Sequence, residues 1–173
     1  LIQRQLTDAF PEKTPASRHR LQKKIYRHLA DLIIESIKGF TLNSKQLRQR
    51  WRIINPEILT SHDNQSVILV SGHIANWEWG ISLNHQIKHP TISFYKPLRN
   101  KTLNDYLLKC RKQGGNEMHS GRNAHRVILK NNHRCCAFTF IADQHPGGTH
   151  HIHWMRFLNQ DTAVLMGPEL YAK

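Results

Sequence analysis

Acidic residues are scarce in this sequence. Twelve Asp and Glu stand against 25 Lys and Arg, a formal charge of +13, and 13 histidines add groups that charge at mildly acid pH. Such an imbalance implies an anionic partner, whether nucleic acid, an anionic membrane surface or a phosphorylated substrate. Cysteine is scarcer still. Cys110, Cys135 and Cys136 are too few for a disulfide framework, and no Cys-x-x-Cys occurs. The adjacent pair sits in an apolar run and reads as core packing in a reducing compartment. No apolar stretch in these residues is long enough to span a bilayer, and none has the pattern of a signal peptide. Internal repeats and low-complexity tracts are missing as well. The 173 residues suffice for one domain with a real core, not comfortably for two. Both ends are abrupt, with no initiator Met before Leu1 and a new helix just beginning after Pro168, so a piece of a longer protein is expected.

What is present is a clear alternation of elements. Thr14 is expected to cap a helix with Pro15 at its first position. Leu21, Ile25, Leu29, Ile33 and Ile37 follow at four-residue steps, one apolar stripe of an amphipathic helix. Arg18, Arg20, Lys23, Lys24 and Arg27 occupy its other faces. Ser44 is expected to cap a second, shorter basic helix through Arg48, Arg50 and Arg52. Both basic faces read either as solvated surface or as contacts to anionic headgroups. Beyond Asp63-Asn64 the chain predicts a strand at Val67–Val70 and a helix over about Asn76–His85. A strand at Thr91–Tyr95 and a helix at Lys101–Gln113 come next. A short extended piece near Glu117-Met118, a helix at Arg122–Asn131 and a strand at Cys135–Ile141 complete the series. This order predicts an α/β fold, a mostly parallel sheet flanked by helices. It divides the chain into a basic amphipathic helical segment, 1–60, and an α/β part, 61–173.

The chemistry concentrates after the first strand, in Ser71-Gly72-His73-Ile74-Ala75-Asn76-Trp77-Glu78-Trp79. A histidine at the mouth of a strand with a carboxylate shortly after it has the make-up of a general base and its orienting partner. Two helical residues five apart lie on different faces, about 140° around the axis. His73 and Glu78 can therefore meet only if His73 lies in the turn and folds back over the first helical turn, a placement that Gly72 favours. An ordinary buried histidine at a strand end is the competing reading. Trp77 and Trp79 read as packing residues. Asp143 and Gln144 end the last strand and could order a site through hydrogen bonds, or Asp143 could simply start a turn. Lys96 and Arg99, after Thr91–Tyr95, are either phosphate ligands at the carboxyl end of a strand or a solvated basic turn. Arg122, after Gly121, is a weaker candidate of the same kind. His145, His150, His151 and His153 fit no standard zinc spacing, so no metal site is expected.

The segment around His73 resembles the first block of the lipid A biosynthesis acyltransferases, the lauroyl/myristoyl branch of the lysophospholipid acyltransferase superfamily. Three more stretches match in order. These are Phe94-Tyr95-Lys96-Pro97-Leu98-Arg99-Asn100, Ile141-Ala142-Asp143-Gln144, and Phe157-Leu158-Asn159-Gln160-Asp161-Thr162 with Gly167-Pro168-Glu169. Phe10-Pro11-Glu12 is similar to the family's entry to its first cytosolic helix, and the last block resembles Bacteroidetes-type members. One departure stands beside the base: Ile74-Ala75 replaces the usual aromatic-Gly pair.

The resemblance implies a glycerolipid acyltransferase-like fold and a membrane-associated enzyme at the cytoplasmic face of a bacterial inner membrane. His73 would take the proton from a hydroxyl of a lipid A precursor, and Glu78 would hold its tautomer. The acyl chain would come from a thioester on acyl carrier protein or coenzyme A, with no metal and no redox cofactor. Asn76, Tyr95, Lys96, Arg99, Arg122, Asp143 and Gln144 would bind substrate. Implied partners are acyl carrier protein, the phosphorylated acceptor and the anionic membrane surface, and no nucleic acid. Two other readings fit the charge. One is a basic nucleic-acid-binding module, although no RNP-like, zinc-finger or Gly-x-x-Gly signature occurs. The other is an inactive membrane-surface protein of the same fold.

Overall fold

The computed structural model describes residues 1–112, 114–146 and 152–173. Four helices come first: α1 (Ile2–Ala9), α2 (Pro15–Gly39), α3 (Ser44–Arg50) and α4 (Pro56–Thr60). Thr14 caps α2 as expected, its hydroxyl accepting from the Ser17 N–H at 3.3 Å, with Pro15 at the first position. Asn43, rather than Ser44, caps α3. Its side chain accepts from Gln46 N–H, and the Gln46 side chain accepts from Asn43 N–H, a reciprocal capping box. Ser44 instead meets His85 Nε2 at 3.1 Å.

The sheet follows, with β1 (Val67–Ser71), β2 (Thr91–Tyr95), α5 (Lys101–Lys112), β3 (Glu117–Ser120), α6 (Ala124–Lys130) and β4 (Ala137–Ile141). The strands run β1-β4-β2-β3, and every pairing is parallel. This is the expected α/β architecture. Parallel neighbours need crossovers, and the intervening helical segments provide them. Ile92, Val127, Cys136 and Phe138 form the buried core, with Ile68, Phe94, Ile128 and Phe140 packed against it. The expectation that both adjacent cysteines pack inside holds only for Cys136. Cys135 is exposed, because successive residues of an extended chain point to opposite sides.

Several elements differ from expectation, α1 and α4 among them, which were not foreseen. The segment Trp77–His85 is a 3₁₀ helix, not an α-helix. Gly80, Ser82 and Asn84 have weak α preference. Asn84 is also drawn out of the segment, bonding Gly114 O at 2.7 Å and Thr91 N–H at 3.2 Å. After the undescribed residues 147–151 comes an unforeseen antiparallel hairpin, β5 (Ile152–Phe157) and β6 (Gln160–Leu165). Its turn uses Leu158 and Asn159 at positive φ (48° and 62°). The helix after it, α7 (Gly167–Ala172), starts where Pro168 suggested. Finally, the apolar stripe of α2 is covered only at its start: Leu21 and Ile25 are half-buried, whereas Leu29, Ile33 and Ile37 stay exposed, and the buried residues of the helix are Leu32 and Gly39.

Candidate active site

Parallel register creates the site. Ser71 pairs with Ile141, so the carboxyl ends of β1 and β4 lie side by side. His73 and Asp143 each follow two residues later, and they face one another across the gap. The Asp143 carboxylate accepts twice from His73: from the backbone N–H at Oδ2, 2.7 Å, and from ring Nδ1 at Oδ1, 2.7 Å. One bond fixes the position of the histidine and the other its ring orientation. Gly72 makes the approach possible. A Cβ there would stand 3.0 Å from Asp143 Oδ2 and 3.2 Å from its Cγ. The Trp77 ring packs edge-on against the imidazole, centroids 4.6 Å apart. Gln144 brings its amide nitrogen to 3.3 Å from the other ring nitrogen, Nε2.

Partial burial pushes the Asp143 carboxyl up. The side-chain and backbone hydrogen bonds from His73, with the attraction of its charge, outweigh this and hold the carboxyl below the ordinary aspartate value. Both side chains keep some access to solvent, 28 % for His73 and 43 % for Asp143. With Nδ1–H donated to the carboxylate, Nε2 carries the lone pair beside the Gln144 amide.

Glu78 is not the partner of His73, contrary to the expectation. Its carboxylate is gripped by Arg111 of α5, with Nε at 2.9 Å and a second bond from Nη2. Burial alone would lower the Arg111 pKa, but the hydrogen bond and charge of Glu78 raise it. His73 and Glu78 could not share one face of a helix, since residues five apart lie about 140° around its axis. The chain resolves this by aiming Glu78 at α5 and supplying a carboxylate from the end of β4. Separation along the chain hid that partner: Asp143 lies 70 residues from His73, and only the sheet register joins them.

Asn76 is turned inward as well. It is buried, and its Nδ2 donates to Glu35 Oε2 of α2 at 3.2 Å, so it stands as a structural link rather than open to a substrate. Its Oδ1 has no hydrogen-bond partner among the described residues. Trp79 Nε1 donates to the Glu35 backbone carbonyl at 3.3 Å, tying the same loop to α2 a second time. Ala75, just before Asn76, has φ +48°, a left-handed conformation that suits glycine.

The remaining candidates share the carboxyl edge of the sheet without touching His73. Tyr95 ends β2 partly buried. Lys96 and Arg99 follow it exposed, and Arg122 is exposed in the 3₁₀ turn after β3. That edge is where ligands sit in open parallel sheets. Of the four histidines weighed for a metal, His150 and His151 lie outside the described residues. Among the described residues, no three His, Cys, Asp or Glu gather as ligands.

No curated protein sequence matches the chain. A family model does, over residues 2–173, that of the bacterial lipid A biosynthesis acyltransferases. That match spans nearly the whole chain, and together with the α/β sheet and the order of the motif blocks it establishes what this protein is: an acyltransferase, a member of the bacterial lipid A biosynthesis acyltransferase family.

Proposed function

We propose that the chain transfers a fatty acyl group from a carrier thioester to a hydroxyl of a lipid A precursor, with His73 as general base and Asp143 as its orienting partner. The reading rests on one observation above the others, the two-point grip of Asp143 on His73 at the carboxyl edge of the sheet. The acceptor hydroxyl displaces the Gln144 amide from Nε2 and gives its proton to that nitrogen. The freed oxygen attacks the thioester carbonyl. Collapse of the tetrahedral intermediate expels the thiolate, which takes the proton back from the imidazolium. Asp143 stabilises the imidazolium throughout, as the carboxylate of a serine hydrolase triad does. A thioester is already activated, so this scheme calls on no metal or redox cofactor.

Glu78 then acts through Arg111, fixing the 3₁₀ segment against α5. Lys96, Arg99 and Arg122 are the groups we assign to the phosphates of the acceptor, the arginines through bidentate forks. Acyl carrier protein is the donor we favour, since its acidic surface suits a chain of this charge. The acceptor is a membrane lipid, and we assign the reaction to the cytoplasmic face of a bacterial inner membrane. The described residues contain no helix long and apolar enough to cross a membrane.

The test is His73→Ala in the full-length protein, assayed for acyl transfer from acyl carrier protein to a lipid A precursor. Loss of a positioned base costs about 10²–10⁴-fold in rate, while circular dichroism should keep the wild-type spectrum. Turnover within a few-fold of wild type would remove His73 from the mechanism.

A further inference from the structure

The side of α2 turned away from the sheet is apolar and open. At about 100° per residue, Tyr26, Leu29, Ala30, Ile33, Ile34 and Ile37 fall within an arc of about 140°. Ile33, Ile34 and Ile37 are each more than 60 % exposed. Phe40 continues the arc and meets Tyr106 of α5 edge-on, ring centroids 5.6 Å apart. Leu103, one turn earlier on α5, is exposed too. Scattered exposed hydrophobes need no explanation, but a contiguous stripe crossing two elements does.

Charge says what covers it. Arg20, Lys23, Arg27 and Lys38 fall about 60–120° round the helix from Tyr26, along the free edge of the arc. The opposite edge is the docked one, where Leu32 and Gly39 are buried. Glu35 lies about 180° from Tyr26 and holds Asn76 and Trp79, the residues just after the base. The helix therefore presents grease outward, cations on one flank and the active-site loop behind.

We propose that this outward face of α2 lies in the interfacial plane of an anionic bilayer. The isoleucines sit among the acyl chains, the cationic flank among the headgroups, and the Glu35 contacts seat the catalytic loop at the membrane surface. A bilayer fits better than a protein partner. From Leu29 to Ile37 the arc is a straight stripe of exposed aliphatic side chains, and its flank complements a diffuse negative surface. Tyr26 and Tyr106 have the amphipathic rings that settle at headgroup level. The inference deepens the membrane-face reading and rests on it, but it is independent of which residue is the base.

The experiment uses full-length protein with one environment-sensitive fluorophore (NBD) on Ile33→Cys in a Cys135→Ser background. Cys110 and Cys136 are buried and remain unlabelled. The control carries the dye on Asp31→Cys, about 160° round the helix from position 33. In vesicles of phosphatidylglycerol and phosphatidylethanolamine with brominated acyl chains, emission from position 33 should shift to the blue and fall by about half or more, with little change from position 31. Equal quenching at both positions, or none at position 33, overturns the proposal. So does a blue-shifted emission at position 33 before lipid is added, the signature of a covering segment of this chain or a second copy. A shift produced by acyl carrier protein without lipid overturns it in favour of a protein partner. The readout needs no turnover. An active His73→Ala enzyme that still quenches at position 33 would therefore refute the base and leave the docking face standing.

Discussion

His73 and Asp143 meet at two points, backbone N–H to Oδ2 and ring Nδ1 to Oδ1, both at 2.7 Å. The pairing separates position from protonation. Asp143→Asn keeps an oxygen for one of the two donors but removes the charge that stabilises an imidazolium. Acyl transfer by this variant is expected to fall about 10²–10⁴-fold in kcat. KM for the acceptor should change little, and the variant should stay folded with a lowered thermal midpoint. A variant with wild-type kcat would show that Asp143 only shapes the loop.

Glu78 and Arg111 give a prediction of the opposite kind. Their side chains are 16 % and 23 % exposed, so removing one partner strands a poorly solvated charge. Glu78→Leu should destabilise the protein toward the lower end of the about 3–5 kcal/mol typical of broken buried pairs. Glu78→Leu with Arg111→Met should recover most of that loss, measured by urea unfolding. The double variant also tests the chemistry. If Glu78 serves catalysis only by holding the 3₁₀ segment, the refolded double variant keeps substantial acyl transfer. If it retains stability but has no turnover, Glu78 acts on the reaction directly.

Much of this was written locally in the sequence. Val67–Val70 and Thr91–Tyr95 announced strands by composition, although β1 is only partly covered and Val70 is exposed, and Thr14-Pro15 marked the start of α2 by capping chemistry. His73 was expected in the turn after Gly72 so that it could meet Glu78; it lies after that strand end, but its partner there is Asp143. What local reading could not supply was register. Nothing near His73 distinguishes Glu78 from Asp143 as its partner until Ser71 is known to pair with Ile141. The 3₁₀ form of Trp77–His85 also depends on distant atoms, since Asn84 bonds to Gly114 and Thr91. The open face of α2 was legible as a stripe, but periodicity cannot say whether a stripe is covered.

The depressed carboxyl of Asp143 sets an acid limb. Its folded pKa lies below the ordinary value, about 4, so the unfolded chain takes up the proton first as pH falls. The stability from the His73–Asp143 contact is therefore fully present above the ordinary value and is lost as pH drops through the depressed one. The urea midpoints of wild type and Asp143→Asn should differ at neutral pH and converge below about pH 4. A gap that persists undiminished at about pH 3 would mean that the carboxylate is not held by His73.

Gly72 should be intolerant of a side chain even though its neighbours are partly solvated. The Cβ of Gly72→Ala would press on Asp143 Oδ2 and Cγ, at 3.0 and 3.2 Å. Asp143 can yield by a few tenths of an ångström, but the bond it would loosen is the one to His73. The expected result is a fall of roughly tenfold or more in kcat, with only a small loss of stability, since a positioned base is sensitive to small displacements. Equal damage to stability and rate would point to a general packing defect instead.

Ala75 is where a single methyl group should cost stability. Its φ of +48° is left-handed, which for a residue with a Cβ costs about 1–2 kcal/mol. The side chain is exposed, so little packing offsets that cost. Ala75→Gly relieves the strain but frees the unfolded chain by about 0.5–1 kcal/mol. The net expectation is a gain of about 0.5–1 kcal/mol in unfolding free energy, read as a higher urea midpoint at unchanged slope. The hydrogen bonds of Asn76 and Trp79 to Glu35 already fix the loop from the α2 side, and Asp143 fixes it from the sheet. Acyl transfer by Ala75→Gly should therefore stay near the wild-type rate. A variant that is more stable but much slower would show that the strained alanine itself holds His73 in its working position.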